Sequence, residues 1–122
     1  IIFGGFTPGG NTGVVETWDG SSWTETTDMN TGRGQGSTVG RTSGSVLYAG
    51  GEAPSVGDSS QVLTEIWNGS TWTELNNLTN ARGGNSGGGG STISGLAFGG
   101  PSPGAYTEEW NATAGLATIT VS

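Results

Sequence analysis

The sequence contains no cysteine, no histidine and no lysine. Without cysteine there is no disulfide framework and no thiolate metal site, although the compartment is not fixed by that absence. Without histidine the usual general base and the usual transition-metal ligand are both missing. Three arginines stand against ten acidic residues, for a net charge of -7. A nucleic-acid surface needs a basic stripe to displace counterions, and an anionic membrane surface attracts the same chemistry. Neither nucleic acid nor membrane insertion is therefore expected, and no cofactor or metal is. No run approaches the length of a transmembrane helix, and no signal peptide is visible. The chain opens on Ile1 inside an apolar run rather than on Met, which suggests a processed or excerpted piece.

Large aliphatic residues are also scarce. Leu, Ile, Val and Phe number 21 of 122, few enough to raise disorder as a reading. Five tryptophans and 26 glycines argue against it, because the aromatics recur at regular intervals.

Three segments define a repeat: Ile1-Ile2-Phe3-Gly4-Gly5, Leu47-Tyr48-Ala49-Gly50-Gly51 and Leu96-Ala97-Phe98-Gly99-Gly100. Each is followed by a small polar stretch and a run ending in tryptophan, at Trp18, Trp67 and Trp110. In the first two copies a short turn leads to Trp23 and Trp72, then to Met29…Arg33 and Leu78…Arg82. The Gly pairs recur at 46 and 49 residues, the tryptophan runs at 49 and 43. One variable stretch reconciles them: eight residues at 6–13, 11 at 52–62 and five at 101–105. A constant frame with one variable loop is what stacked supersecondary units show.

The runs are short, β-branched or aromatic, and bounded by Gly, Asn, Ser and Thr, and no window has a convincing helical period. Asp19-Gly20-Ser21-Ser22 and Asn68-Gly69-Ser70-Thr71 provide the glycine a tight hairpin needs, which sets Trp18 against Trp23 and Trp67 against Trp72. Further strands at 37–39 and 86–92 complete a four-strand unit. The expectation is an all-β chain of four-stranded antiparallel units: 1–35 without its first strand, then 36–84, then 85–122, with three, four and four strands. The tail from Leu116 alternates like an edge or closing strand, and Leu116 is the nearest stand-in for the second tryptophan that the third unit lacks.

An apolar strand closing on a Gly pair, a spaced tryptophan and an apolar-x-x-x-Arg segment together resemble the kelch repeat, over essentially the whole chain. The Thr/Ser/Asn-rich style also resembles kelch-like arrays of large phage and environmental bacterial surface proteins. The kelch resemblance implies β-propeller blades. Fewer than three full units do not close a ring of four to eight blades, so further chain or other copies of it are the expected partners. The sequence departs from the family pattern in lacking Pro after Met29 and Leu78, and its aromatic just after the Gly-paired strand is inconsistent.

Glu16, Glu65 and Glu108 each lie two residues before a tryptophan, hence on that tryptophan's face of the strand. A half-buried carboxylate needs a partner, and Arg33 and Arg82 are the repeated cations, suited to a two-pronged pair. A tie within or between units is the expectation, with a carboxylate ring for a cation or sugar as the alternative. Glycoside hydrolysis needs a unique pair of acids, and the unique acids are few, with Glu52, Asp58 and Glu109 the candidates. A phosphate cradle at Gly87–Gly90 lacks the Lys-Ser/Thr and helix that would follow it, and a flexible or tightly packed inner strand is expected there instead. Sequons fall at Asn68, Asn77 and Asn111, in a composition where chance matches are common.

The variable loops are the expected recognition surface, because loops that change length on a rigid frame are where binding concentrates. Their candidate ligand-binding residues are Asn11, Glu52, Asp58, Ser59 and Gln61, with Ser60 beside them. The functional expectation is a non-catalytic recognition or scaffold module of an extracellular or virion-surface assembly, binding a glycan or protein receptor. A ligand-free repeat of a fibre or appendage is the alternative, and a glycoside-active enzyme stands third.

Overall fold

The computed structural model describes residues 1–53, 58–84, 86–100, 106–113 and 116–121, without the side chains of Asp58, Ser59 and residues from 113 onward. All regular structure among the described residues is β. The first sheet contains β1 (Ile2–Phe3), β4 (Val15–Trp18) and β5 (Trp23–Glu25), in the order β1-β4-β5. The second contains β6 (Ser37–Thr42), β7 (Ser45–Ala49), β10 (Thr64–Trp67) and β11 (Trp72–Glu74), in the order β11-β10-β7-β6. The third runs β12 (Ser86–Ser91), β13 (Ser94–Gly99), β14 (Thr107–Thr113) and β15 (Leu116–Val121) in sequence order. All pairings are antiparallel. Two stretches of the variable segment fold as small ribbons, β2 (Phe6–Thr7) with β3 (Gly10–Asn11) and β8 (Glu52–Ala53) with β9 (Asp58–Ser60).

Both tight hairpins take the register that their sequence sets. Trp18 stands opposite Trp23 and Trp67 opposite Trp72, with ring centroids 5.4 and 5.5 Å apart. Gly20 and Gly69 have φ of 108° and 100°, conformations that side chains resist. The residue before each glycine closes the turn. Asp19 Oδ1 accepts from the Ser21 and Ser22 amides at 2.7 and 2.8 Å, and Asn68 Oδ1 accepts from Ser70 and Thr71 at 2.9 Å each.

The two turns differ in charge, and that difference gives a pH signature. The Ser21 amide, then that of Ser22, holds the Asp19 carboxyl down at about 2, against an ordinary 3.8. A lowered folded value means that its contribution is complete above the ordinary value and is lost as pH falls from about 4 to about 2. Urea midpoints followed across that window should therefore fall more steeply for the wild type than for Asp19→Asn, which copies the Asn68 turn. Equal slopes would refute the turn as the source.

The core lies between sheets, with the second sheet covered on both faces. Alternation along β7 sends Val46 and Tyr48 one way and Leu47 the other. Val46, Tyr48, Trp67 and Trp72 pack with Val15 and Met29 from the first unit. Phe3 meets Tyr48 and Trp72 edge-on, at 5.0 and 5.1 Å between centroids. On the other face Val39 and Leu47 take Trp110, and Ala49 packs with Leu78 and Ala97.

The four-glycine run forms part of β12, a half-buried strand at the edge of the third sheet. A Cβ on Gly88 would lie 2.6 Å from Thr38 O and 3.0 Å from Thr38 N, so β12 approaches the backbone of β6 where no side chain fits. Gly89 faces open space. Gly88→Ala should therefore cost about 1–3 kcal/mol by overpacking, measured by urea denaturation, while Gly89→Ala changes little. Similar losses at both positions would refute the close approach.

The third unit corrects one expectation. Ile119, rather than Leu116, stands opposite Trp110, and Leu116 pairs with Thr113. The reason is that β14 runs on to Thr113, so the return strand starts farther from the tryptophan. The side chains there and the loop at 101–105 lie outside the described residues.

Candidate functional site

The Gly pairs and the arginines form one repeated device that joins each sheet to the next. The Arg33 carbonyl accepts from the Gly5 amide at 3.0 Å, and the Arg82 carbonyl from Gly51 at 2.7 Å, so each arginine's backbone belongs to its own unit. Its side chain reaches into the following one. Arg33 Nε donates to Gly50 O at 2.7 Å and Nη1 to Thr31 O at 2.9 Å, and Nη1 also pairs with Glu65 Oε2. Arg82 Nη1 donates to Gly99 O at 3.2 Å and Tyr106 O at 3.0 Å, and Nη2 donates to Glu108 Oε2 at 2.6 Å. All four charged side chains are buried.

The second carboxylate oxygen is used as well. Glu65 Oε1 accepts from the Asn30 amide at 2.8 Å, and Glu108 Oε1 from the Thr79 amide at 2.6 Å. Each donor amide lies three residues before its arginine. A buried ion pair holds only when its remaining lone pairs and protons are satisfied. These amides and carbonyls serve both carboxylates and the Arg33 guanidinium, whereas Arg82 Nε is buried without a hydrogen-bond partner. The paired glycines make the approach geometrically available. Gly50 and Gly51 have φ of 70° and 103°, and a Cβ on Gly50 would lie 2.6 Å from Arg82 O.

Tyr48 completes the first clamp. The Arg33 guanidinium carbon lies 4.8 Å from its ring centroid, and its hydroxyl oxygen accepts from the Gly36 amide at 2.9 Å. Burial raises the phenol above its ordinary range, opposed by that hydrogen bond and by Arg33.

Among the repeated positions, Glu65 meets Arg33 and Glu108 meets Arg82, whereas Glu16 has no ion pair among the described residues. The tryptophans divide in the same way. Trp67 and Trp72 are 1% and 6% exposed, while Trp18 and Trp23 are 48% and 52% exposed. Trp67 Nε1 donates to Ser43 O at 3.0 Å and Trp110 Nε1 to Thr92 O at 2.9 Å, both in the hairpin that precedes the strand.

Three of the loop candidates are tied into the connectors. Asn11 Nδ2 donates to Gly32 O at 2.9 Å. Glu52 exchanges backbone hydrogen bonds with Gly34, and its Oε1 accepts from the Gly84 amide at 2.8 Å. Gln61 donates its amide to Gly51 O and accepts from that of Arg82. Asp58 and Ser59 lie in β9, with Asp58 opposite Ala53, and Ser60 stands opposite Glu52. The side chains of Asp58 and Ser59 are outside the described residues.

Sequence reasoning missed the Asn30 and Thr79 amides and the Tyr48 hydroxyl. The amides had a usable signal, since both lie directly after the apolar residue of the apolar-x-x-x-Arg segment. Tyr48 had none, because the other units carry Ile2 and Ala97 there.

Fold and site define an all-β chain of consecutive antiparallel sheets joined by buried arginine–glutamate clamps. It is similar to the solved structure of YjhT, with a TM-score of 0.71 at 17% identity over 97% of this chain and 41% of that one. A likeness at that identity establishes shared fold alone, and this chain spans about two-fifths of that structure. No protein-family model and no curated protein matches the sequence.

Proposed function

We propose that the chain is a run of kelch-type propeller blades acting as a non-catalytic recognition module of an extracellular or virion-associated assembly. Its blades are completed by further chain or by other copies, and it binds a glycan or protein receptor through its loop ribbons. The observation that carries this reading is the pairing of clamped sheets with ribbons of unequal length, each rooted by hydrogen bonds in a connector. A rigid base with a variable rim is what preorganised recognition requires. The likeness over 41% of a larger structure supports membership in a longer array. Glu65 and Glu108 are each spent on an arginine and an amide, which removes these two repeated acids from acid–base chemistry.

Binding to a glycan array and a receptor panel, compared between wild type and an Asp58→Ala/Ser59→Ala/Gln61→Ala variant, tests it. Loss of a wild-type signal with unchanged folding is expected. An array and panel that stay blank would leave the second reading, a ligand-free repeat of a fibre or appendage. That reading draws on Trp18 and Trp23 at one end and Leu96 and Phe98 at the other, all exposed.

A further inference from the structure

Glu16 occupies in β4 the position that Glu65 holds in β10 and Glu108 in β14, two residues before a tryptophan. Its strand neighbours correspond as well. Ile2 stands opposite Glu16, as Tyr48 stands opposite Glu65 and Ala97 opposite Glu108. In the second and third sheets this face packs against the preceding unit, whose closing turn brings an arginine and an amide to the carboxylate. In the first sheet Ile2, Trp18 and Trp23 are exposed instead.

We infer that this face of the first sheet, Ile2, Glu16, Trp18 and Trp23, is the docking surface for a further antiparallel sheet of the same repeat. The closing apolar-x-x-x-Arg turn of that sheet sets its arginine, and the backbone amide three residues before it, on the Glu16 carboxylate. The argument is continuity: the same face forms an interface twice within the chain, with the same two donors on the same two oxygens. A second copy of these 122 residues does not meet the requirement. Its Arg33 and Arg82 are engaged by Glu65 and Glu108, and Arg41 lies in β6 rather than in such a turn. The inference rests on reading the sheets as successive blades, and names the residue and the chemistry by which the next blade is recognised.

The experiment prepends a copy of residues 36–95 to Ile1 of the full chain, supplying a sheet with its own arginine turn and a fourth strand to precede β1. With fluorotryptophan incorporated, the Trp18 and Trp23 fluorine resonances should lose their solvent-isotope shift in the extended chain and keep it in the original. Glu16→Gln should lower the urea midpoint of the extended chain and leave the original unmoved. Replacing the prepended copy of Arg82 by Gln should give the same loss, with no further loss when the two are combined. An added sheet that docks while Glu16→Gln stays silent would overturn the arginine-turn assignment and spare the blade reading. An added sheet that folds but leaves Trp18 solvent-accessible would sink the blade reading itself. Dimerisation of the original chain with Trp18 buried, seen by sedimentation, would name a second copy as the occupant and overturn the inference.

Discussion

Arg33→Met should cost about 3–5 kcal/mol, because it removes one partner of a buried ion pair and leaves the other charge uncompensated. Glu65 would keep only the Asn30 amide, and Gly50 O would lose its 2.7 Å donor. Against a total stability of about 5–15 kcal/mol for a domain, that loss removes between about a fifth and all of it. The informative comparison is the double variant Arg33→Met/Glu65→Met. With both charges gone and volume roughly kept, much of the loss should return, because well-packed apolar replacements of buried pairs are often neutral or better. Urea curves for the two single variants and the double variant give the coupling directly. A single variant as stable as the wild type, or a double variant whose loss is the sum of the singles, would refute the clamp.

Trp67→Ala should be similarly severe, at about 3–5 kcal/mol, and Trp18→Ala should cost well under about 1 kcal/mol. The two residues hold the same place in the repeat and differ in what lies against them. Trp67 is enclosed by Val15, Met29 and Trp72 and donates to Ser43 O, whereas Trp18 touches Trp23 with its outer face in solvent. Thermal or urea unfolding of both variants decides the matter. Equal losses would mean that the tilted tryptophan pair, rather than the contact between sheets, carries the energy.

Much of the strand plan was legible in the sequence because it rests on local signals. Glycine at positions 20 and 69 announces a hairpin whatever surrounds it, and that alone sets Trp18 against Trp23 and Trp67 against Trp72. The spacing of Glu and Trp by two likewise placed both on one face. What lay beyond reach depends on contacts between units. That Arg33 reaches forward to Glu65 rather than back to Glu16 follows from which sheet covers which face, and strand periodicity is blind to that choice. The role of Gly88 needs the Thr38 backbone 50 residues away in sequence to be in place. The ribbons within residues 6–13 and 52–62 were missed because pairs of two or three residues carry almost no pattern. The return of β15 against Trp110 was misread because β14 outruns its counterparts.

The forward direction of the clamp makes the repeats interchangeable parts. Arg33 and Glu65 are 32 residues apart and Arg82 and Glu108 are 26, a difference of six that lies wholly in the variable loop. Excising 36–84 as a block would therefore bring Arg33 to Glu108 through the same connector that now brings Arg82 there. A cut that removes one member of a clamp and keeps the other strands a charge in the interior. Gain and loss of sequence in such an array are thereby restricted to whole units and to loop length, which are the changes that alter reach and rim without disturbing the frame.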